Sequence, residues 1–76
     1  MQIVLSDRAK KSMRRLPANL RRRLLSAIAA LPAGDVKKLH SRDGYRLRVG
    51  EWRVLYEVAG ETITVLDVGP RSGIYQ

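Results

Sequence analysis

The stretch from Gly44 to Val58, with the sequence GYRLRVGEWRVLYEV, alternates apolar and polar residues on both sides of Gly50-Glu51. This period of two predicts two half-buried β-strands that form a hairpin. Glycine at the first central position favours a two-residue turn of type II′. Such a turn fixes the cross-strand pairs, which are Val49 with Trp52, Arg48 with Arg53, Leu47 with Val54, and Arg46 with Leu55.

The two faces of this hairpin differ in character. The predicted core face carries Tyr45, Leu47, Val49, Trp52, Val54, Tyr56 and Val58. The other face carries Arg46, Arg48 and Arg53. Like charges directly opposite each other destabilise a sheet by roughly 0.2–1 kcal/mol, whereas guanidinium groups are well suited to holding phosphate. We therefore expect an anion on this face, and the first hypothesis is a sheet that binds a phosphodiester.

Composition bounds the class of protein. The chain has 76 residues, no Cys and one His, so we expect one small domain over residues 1–76 without disulfides, a metal or another cofactor. The N-terminus lacks a basic start followed by a long apolar stretch, and no apolar run approaches membrane-spanning length. A cytoplasmic protein without a membrane partner is expected.

The net charge of +8 is unevenly distributed. Residues 1–38 hold ten Lys or Arg and two acids, whereas residues 39–76 hold five Arg and five acids. The N-terminal half therefore attracts polyanions generally, and the C-terminal half places a few arginines individually. A nucleic acid or another acidic partner is favoured over a merely soluble basic surface.

The remaining segments predict a small α+β domain. A short strand over Gln2–Leu5 precedes a helix over about 7–16 that Ser6 caps, and a second helix over about 18–31 follows Pro17. Residues 35–43 form a polar connection anchored by Val36 and Leu39. After the hairpin, Gly60-Glu61 makes a turn and residues 62–68 form a strand. Both of its alternating sets of residues are fairly apolar, as in a central strand that is covered on each side. The plan is β-α-α-β-β-β, with two N-terminal helices packed on one face of a small, mostly antiparallel sheet and the other face open.

Several segments in this order resemble the RelE/ParE superfamily of toxins from toxin–antitoxin modules. The resemblance lies in Lys38-Leu39, residues 44–50, residues 52–58, residues 65–71 and Tyr75, and it is strongest to the RelE-like branch. It covers essentially the whole chain. It implies a small basic ribonuclease that enters the ribosomal A site, cuts mRNA there and is neutralised by an antitoxin.

The resemblance also implies a set of catalytic residues, namely Arg46, Arg48, Arg53, Arg71 and Tyr75. In such a site the RNA 2′-OH attacks the adjacent phosphorus, the 5′-OH leaves, and fixed guanidinium groups stabilise the charge on the non-bridging oxygens. The purely structural interpretation is that these arginines are solvated strand residues or a turn cap, and that Tyr75 anchors the tail. Trp52 and Tyr56 are expected in the core, and Asp67 is expected to pair with Arg71 or another arginine.

Two departures from the family pattern concern proton transfer. Some members carry a lysine at one of the two strand positions, where this chain has Arg46 and Arg48, and Arg hardly ever loses its proton. Others carry a His where this chain has Pro70. The general base and acid are therefore unassigned, with Tyr75, Glu51, Glu57 and His40 as the titratable candidates.

The sequence leaves two alternatives to a ribonuclease. One is a ParE-like toxin that inhibits DNA gyrase and cuts no RNA, and the other is a basic RNA-binding module without catalysis. The toxin interpretation implies three partners: an acidic antitoxin, the ribosome and mRNA. It is also compatible with a larger toxin–antitoxin oligomer. A general RNA-binding surface is predicted at Arg21, Arg22, Arg23, Lys37 and Lys38.

Overall fold

The computed structural model describes residues 1–40 and 42–71. In chain order its elements are β1 (Gln2–Leu5), α1 (Asp7–Arg14), α2 (Ala18–Ala29), β2 (Asp35–Lys38), β3 (Tyr45–Val49), β4 (Trp52–Ala59) and β5 (Thr62–Pro70). The predicted α+β class is confirmed, and the structure adds one strand, β2, to the predicted order.

The strands form one five-stranded sheet in the order β1-β5-β4-β3-β2. β1 pairs with β5 in parallel, and the other three pairs are antiparallel. β1 and β2 are therefore the two edges, and β5 is a central strand between β1 and β4, as the sequence predicted. Beyond Leu5, which pairs with Val65, the edge of β5 has no strand partner among the described residues.

The central hairpin has the predicted register. Val49 lies opposite Trp52, and Arg48 lies opposite Arg53. Gly50 has φ +60°, while no non-glycine residue in the described ranges has positive φ, so the turn has the φ signs of type II′ rather than type I′. This local geometry places the three hairpin arginines on one face.

The segment 35–43 was wrongly predicted to be an irregular connection throughout. Residues 35–38 form edge strand β2, which pairs with β3 from Asp35↔Arg48 to Lys38↔Tyr45. Three of its four residues are charged, which is typical of edge strands. Four residues are too few to show a period of two. The predicted anchors are confirmed, because Val36 packs against the main core and Leu39 is buried.

Both helices begin where the sequence predicts and end about two residues earlier. The Ser6 side chain accepts a hydrogen bond from Ala9 N at 3.1 Å, and α2 begins after Pro17. After α1, Leu16 N donates to Met13 O, and after α2, Leu31 N donates to Ile28 O. These i→i−3 bonds tighten the last turn of each helix, which is a common way for a helix to end.

The core lies between the helices and one face of the sheet. Ala9, Leu24, Val54, Ile63 and Val65 are fully buried there. Tyr56 is buried and Trp52 packs against this core, as predicted. On the opposite face, Leu39 and Leu55 form a small separate cluster, so that face carries the arginines around a small apolar floor.

Within the described ranges, neither helix is long and apolar enough to cross a membrane. In the same ranges there is also no group of three or more His, Cys, Asp or Glu side chains that could hold a metal ion.

Candidate functional site

A cleft of about 360 Å³ opens on the sheet face away from the helices. Its lining comes from three strands and the loop after β2, and consists of Lys37, Lys38, Leu39, His40, Arg46, Arg48 and Arg53. The three hairpin arginines, which the sequence places on one face, thus line one cavity. Lys37 and Lys38, predicted as part of a more general surface, lie in the same cleft.

The arginines converge because of strand register. Arg48 lies directly opposite Arg53, and Arg46 lies opposite Leu55, whose side chain is buried in the apolar floor. Arg46 itself is only 8% exposed, so it is not a solvated strand residue, as the purely structural interpretation would require. A charge held this far from water requires a counter-ion or hydrogen-bond partners.

Asp35 supplies part of that compensation. Arg48 Nε donates a hydrogen bond to Asp35 Oδ2 at 2.8 Å, and Arg46 Nη1 lies 3.7 Å from Asp35 Oδ1. The sequence pattern did not identify Asp35, because it predicted a loop at this residue. Only the pairing of β2 with β3 brings the carboxylate opposite Arg48.

The compensation is incomplete. Arg46 Nη1 and Arg53 Nε are buried and have no hydrogen-bond partner among residues 1–40 and 42–71. Arg53 also has no carboxylate within ion-pair distance in these ranges. Its pKa is lowered, first by burial and then by the charges of Arg46, Arg71 and Arg48. A bound anion would therefore meet unused donors and relieve charge repulsion in one place.

Arg71 reaches the same neighbourhood from the end of β5. Its backbone N donates to Glu51 O in the hairpin turn at 2.8 Å. With Glu51, Arg53 and Pro70 it lines a depression of about 330 Å³ beside the cleft. The structure thus brings Arg46, Arg48, Arg53 and Arg71 together electrostatically, whereas Tyr75 lies outside the described residues.

The three arginines of α2 lie in different surroundings. Arg21 Nη1 donates to Leu16 O at 2.9 Å, which ties α2 to the end of α1. Arg22 and Arg23 are exposed, and the Arg23 guanidinium lies beside Gly50 in the hairpin turn. None of the three lines the cleft, and their role in RNA binding stays a prediction.

The titratable candidates separate in space. His40, considered a loop residue from the sequence, lies in a loop but lines the cleft. Glu51 lies in the depression beside Arg53 and Arg71, and Glu57 is exposed outside both cavities. Asp67 has an arginine partner as predicted; it is Arg8, at 3.3 Å from Nε to Oδ2, rather than Arg71.

Besides this cleft and sheet topology, the chain has a sequence match to a known protein family. Residues 3–75 match the family described as the ParE toxin of the type II toxin–antitoxin system, parDE. The chain belongs to this toxin family. The resemblance to the RelE/ParE superfamily is confirmed, and the chain is a toxin of the type II toxin–antitoxin class.

Solved structures resemble the toxin over nearly its whole length. A chain of the RelB–RelE antitoxin–toxin complex from Methanococcus jannaschii is 28% identical with a TM-score of 0.79, and the match covers 95% of the toxin and 94% of that chain. A chain of the archaeal RelE–RelB complex from Pyrococcus horikoshii OT3 is 27% identical with a TM-score of 0.74, covering 96% and 97%.

A more distant structure supports the fold alone. The RelBE2 toxin–antitoxin complex from Mycobacterium tuberculosis contains a chain that is 22% identical, with a TM-score of 0.77 and coverage of 92% of the toxin and 96% of that chain. No curated protein matches the toxin sequence significantly.

Proposed function

We propose that this toxin is a ribosome-dependent endoribonuclease that acts in the cytoplasm, cuts mRNA and so stops translation. The observation that carries the proposal is the pair of buried, unused guanidinium donors on Arg46 and Arg53, which line one cleft with Arg48. A phosphodiester is an anion that can use both donors and offset the crowded charge. The architecture shared with chains of RelB–RelE complexes supports the RelE-like branch.

The proposed reaction is an internal phosphoryl transfer. The 2′-oxygen of one nucleotide attacks the adjacent phosphorus and loses its proton, while the bond from phosphorus to the 5′-oxygen of the next nucleotide breaks. That oxygen takes up a proton, so the products are a 2′,3′-cyclic phosphate and a 5′-hydroxyl end. Negative charge grows on the non-bridging oxygens in the transition state, where fixed cations lower its energy most effectively.

The arginines divide this work by position. Arg48 and Arg53 lie opposite each other across the hairpin, so a phosphate between them would be held from two strands. Arg71 approaches Arg53 from the next depression, where it would hold the neighbouring part of the RNA backbone. Positioning the 2′-oxygen in line with the leaving oxygen supplies much of the acceleration in such a site.

Proton transfer is assigned to His40. Among the described residues, the cleft lining contains three titratable side chains besides arginine, namely Lys37, Lys38 and His40. Imidazole can both accept and donate a proton, as a group that serves the attacking and leaving oxygens must do. Lys37, which lies opposite Arg46 across the β2–β3 pair, would add positive charge beside it.

The decisive test is cleavage of mRNA on programmed ribosomes by purified toxin. We expect cuts in the ribosome-bound message, and we expect Arg53→Gln and Arg71→Gln each to reduce the rate by at least about a hundredfold, as loss of a transition-state donor does. Lys10→Gln, which removes the same charge on the far side of α1, serves as the control. Equal cleavage by all three variants would show that the site is wrongly assigned.

Membership in the family described as ParE toxins favours one other candidate, inhibition of DNA gyrase without RNA cleavage. The two candidates differ in the response of cells in which the toxin is induced. An immediate halt in protein synthesis supports the ribonuclease, whereas a DNA-damage response with translation intact supports the gyrase inhibitor.

We also propose that an acidic antitoxin binds this toxin. Chains of similar fold occur in complexes of RelE with the RelB antitoxin, and the net charge of +8 favours an acidic partner. Such a partner would stabilise the small domain by mass action. Co-expression with the neighbouring reading frame should raise the thermal midpoint and suppress mRNA cleavage.

A further inference from the structure

A second basic depression lies beside the last residues of β5, on the outer side of α1. Its volume is about 410 Å³, and its lining consists of Arg8, Lys11, Ser12, Arg15 and residues 67–70. None of the residues assigned to catalysis lines this depression.

Helical spacing produces the basic side of this depression. Arg8 and Lys11 of α1 and Arg15 at its C-cap follow each other at intervals of three and four residues, which places them on one side of the helix. The opposite face of α1 buries Ala9 and Met13 in the core. The three cations therefore stand at the outer side of the helix, where it meets the end of β5.

One acid offsets part of this charge. Asp67 pairs with Arg8 at 3.3 Å and accepts a hydrogen bond from Ser12 Oγ at 3.4 Å. Lys11 and Arg15 have no carboxylate within ion-pair distance in the described part of the chain. These two side chains are the cations available to a ligand.

Shared lining residues link this depression to the cleft by way of the small depression beside Arg71. Arg53 lines both the cleft and the small depression beside Arg71. Pro70 lines both that small depression and the one on α1. The edge of β5 is uncovered along this route, because β1 ends at Leu5 and the chain turns into α1 after Ser6 N bonds to Val65 O.

The chemistry of the α1 depression fits phosphate rather than a protein helix. Among the described residues that line it, the apolar side chains are Val68, which is buried in the core, and Pro70. An amphipathic helix of an acidic protein also needs apolar surface. That surface lies on the other flank of α1, in a depression lined by Leu5, Lys10, Met13, Arg14 and the exposed Leu25.

We infer that the RNA strand held in the cleft continues over the end of β5, and that Lys11 and Arg15 bind its flanking backbone phosphates. This inference rests on the proposed RNA substrate. We call this path, from the cleft over the end of β5 to Lys11 and Arg15, the track. The track therefore predicts affinity that rises with RNA length beyond what the cleft alone can contact.

The test compares two double variants of the same helix. Lys11→Gln/Arg15→Gln removes the two available cations of the track, and Lys10→Gln/Arg14→Gln removes the same charge from the opposite flank of α1. Each is titrated with single-stranded RNA of about 4 and about 12 nucleotides, lengths that bracket a short and an extended single-strand site.

We expect the Lys11/Arg15 variant to bind the long RNA at least about tenfold more weakly than the parent, since two charge-assisted contacts are lost. Its salt dependence should fall by roughly 1.4 in the slope of log affinity against log salt. The short RNA should bind it as it binds the parent, and the Lys10/Arg14 variant should bind both RNAs as the parent does. Circular dichroism checks that both variants are folded.

Three outcomes would overturn the track. The first is an equal loss of RNA affinity in the two double variants, and the second is an equal loss for the short and the long RNA. The third is full RNA affinity in the Lys11/Arg15 variant, even if that surface is then found to bind a protein. The ribonuclease proposal is tested separately by cleavage in the Arg53→Gln variant. If the toxin cuts mRNA but its RNA affinity does not depend on RNA length, only the track is disproved. If its RNA affinity depends on length but it never cuts mRNA, only the ribonuclease proposal is disproved.

Discussion

Arg48 Nε donates a hydrogen bond to Asp35 Oδ2 at 2.8 Å, so a carboxylate lies where an RNA phosphate is expected to bind. The same carboxylate lies 3.7 Å from Arg46 Nη1. Asp35 is half exposed, and an ion pair this accessible to water contributes only about 0–1 kcal/mol. A phosphate can therefore displace Asp35 from Arg48 at small cost.

Replacing Asp35 should strengthen anion binding. Asp35→Asn removes the competing negative charge, and we expect the affinity for a short single-stranded RNA to rise several-fold at low salt. Titration by fluorescence anisotropy measures it. Asp43→Asn is the control, since Asp43 is an exposed acid with no ion pair in the described ranges. If the two variants bind equally, Asp35 does not compete with the ligand.

Arg53 should stabilise the bound state and destabilise the free protein. Burial and the neighbouring arginines lower its pKa, so the folded state disfavours its charged form more than the unfolded chain does. Arg keeps its proton at ordinary pH, so this charge opposes folding throughout that range. Removing the like-charge pair of Arg48 and Arg53 should raise the free energy of unfolding by roughly 0.2–1 kcal/mol. This corresponds to a rise of a few degrees in the thermal midpoint.

The corresponding variant is Arg53→Gln. Differential scanning calorimetry should show a higher midpoint than the parent in low phosphate, and addition of phosphate should raise the midpoint of the parent more than that of the variant. Lys10→Gln controls for the loss of one positive charge. A lower midpoint for Arg53→Gln in every buffer would contradict the charge argument.

His40 should be required for rapid cleavage. His40→Gln removes the group assigned to proton transfer, and the single-turnover rate should fall by roughly a hundredfold or more. Lys37→Gln, which also removes a cleft-lining side chain, should lower the rate much less. Equal rates for the parent and His40→Gln would exclude this role.

Tyr56 should make the fold sensitive to alkali. Its pKa is raised, first by burial and then by Tyr45, whose ring stacks on it at 5.4 Å between centroids. The phenol therefore ionises more easily in the unfolded chain, near pH 10. Its contribution to stability is complete below that pH and is lost as the pH rises through the folded-state value.

Tyr56→Phe removes this titration. Thermal midpoints measured from pH 8 to pH 11, a window that brackets the reference value of about 10, should fall more steeply for the parent than for the variant above about pH 10. Both curves should run in parallel at lower pH. Parallel curves over the whole range would mean that the buried phenol is not linked to folding.

Local patterns predicted the centre of this protein well. Alternation around Gly50, together with the geometry of a two-residue turn, determines which residues of the hairpin share a face. Arg46, Arg48 and Arg53 could therefore be assigned to one side from the residue pattern alone. Ser6 and Pro17 mark the starts of the helices for equally local reasons.

The last strand shows where local patterns fail. Both sets of alternating residues in β5 are apolar, so its sequence does not distinguish the core face. In the structure Tyr56 pairs with Val65 and Leu55 pairs with Asp67, which leaves Leu66 as a bulge. The bulge shifts the alternation by one residue, and both Val65 and Val68 become buried.

The sequence by itself determined the hairpin, its arginine face and the order of most elements, because each follows from contacts between near neighbours in the chain. Only the tertiary structure decided that Asp35 meets Arg48, that Arg71 approaches Arg53, and that the basic side of α1 lies beside the last residues of β5. These relationships depend on pairing between strands and on helix packing across long separations in sequence. No local period encodes them, since their energy arises only when distant segments are brought together.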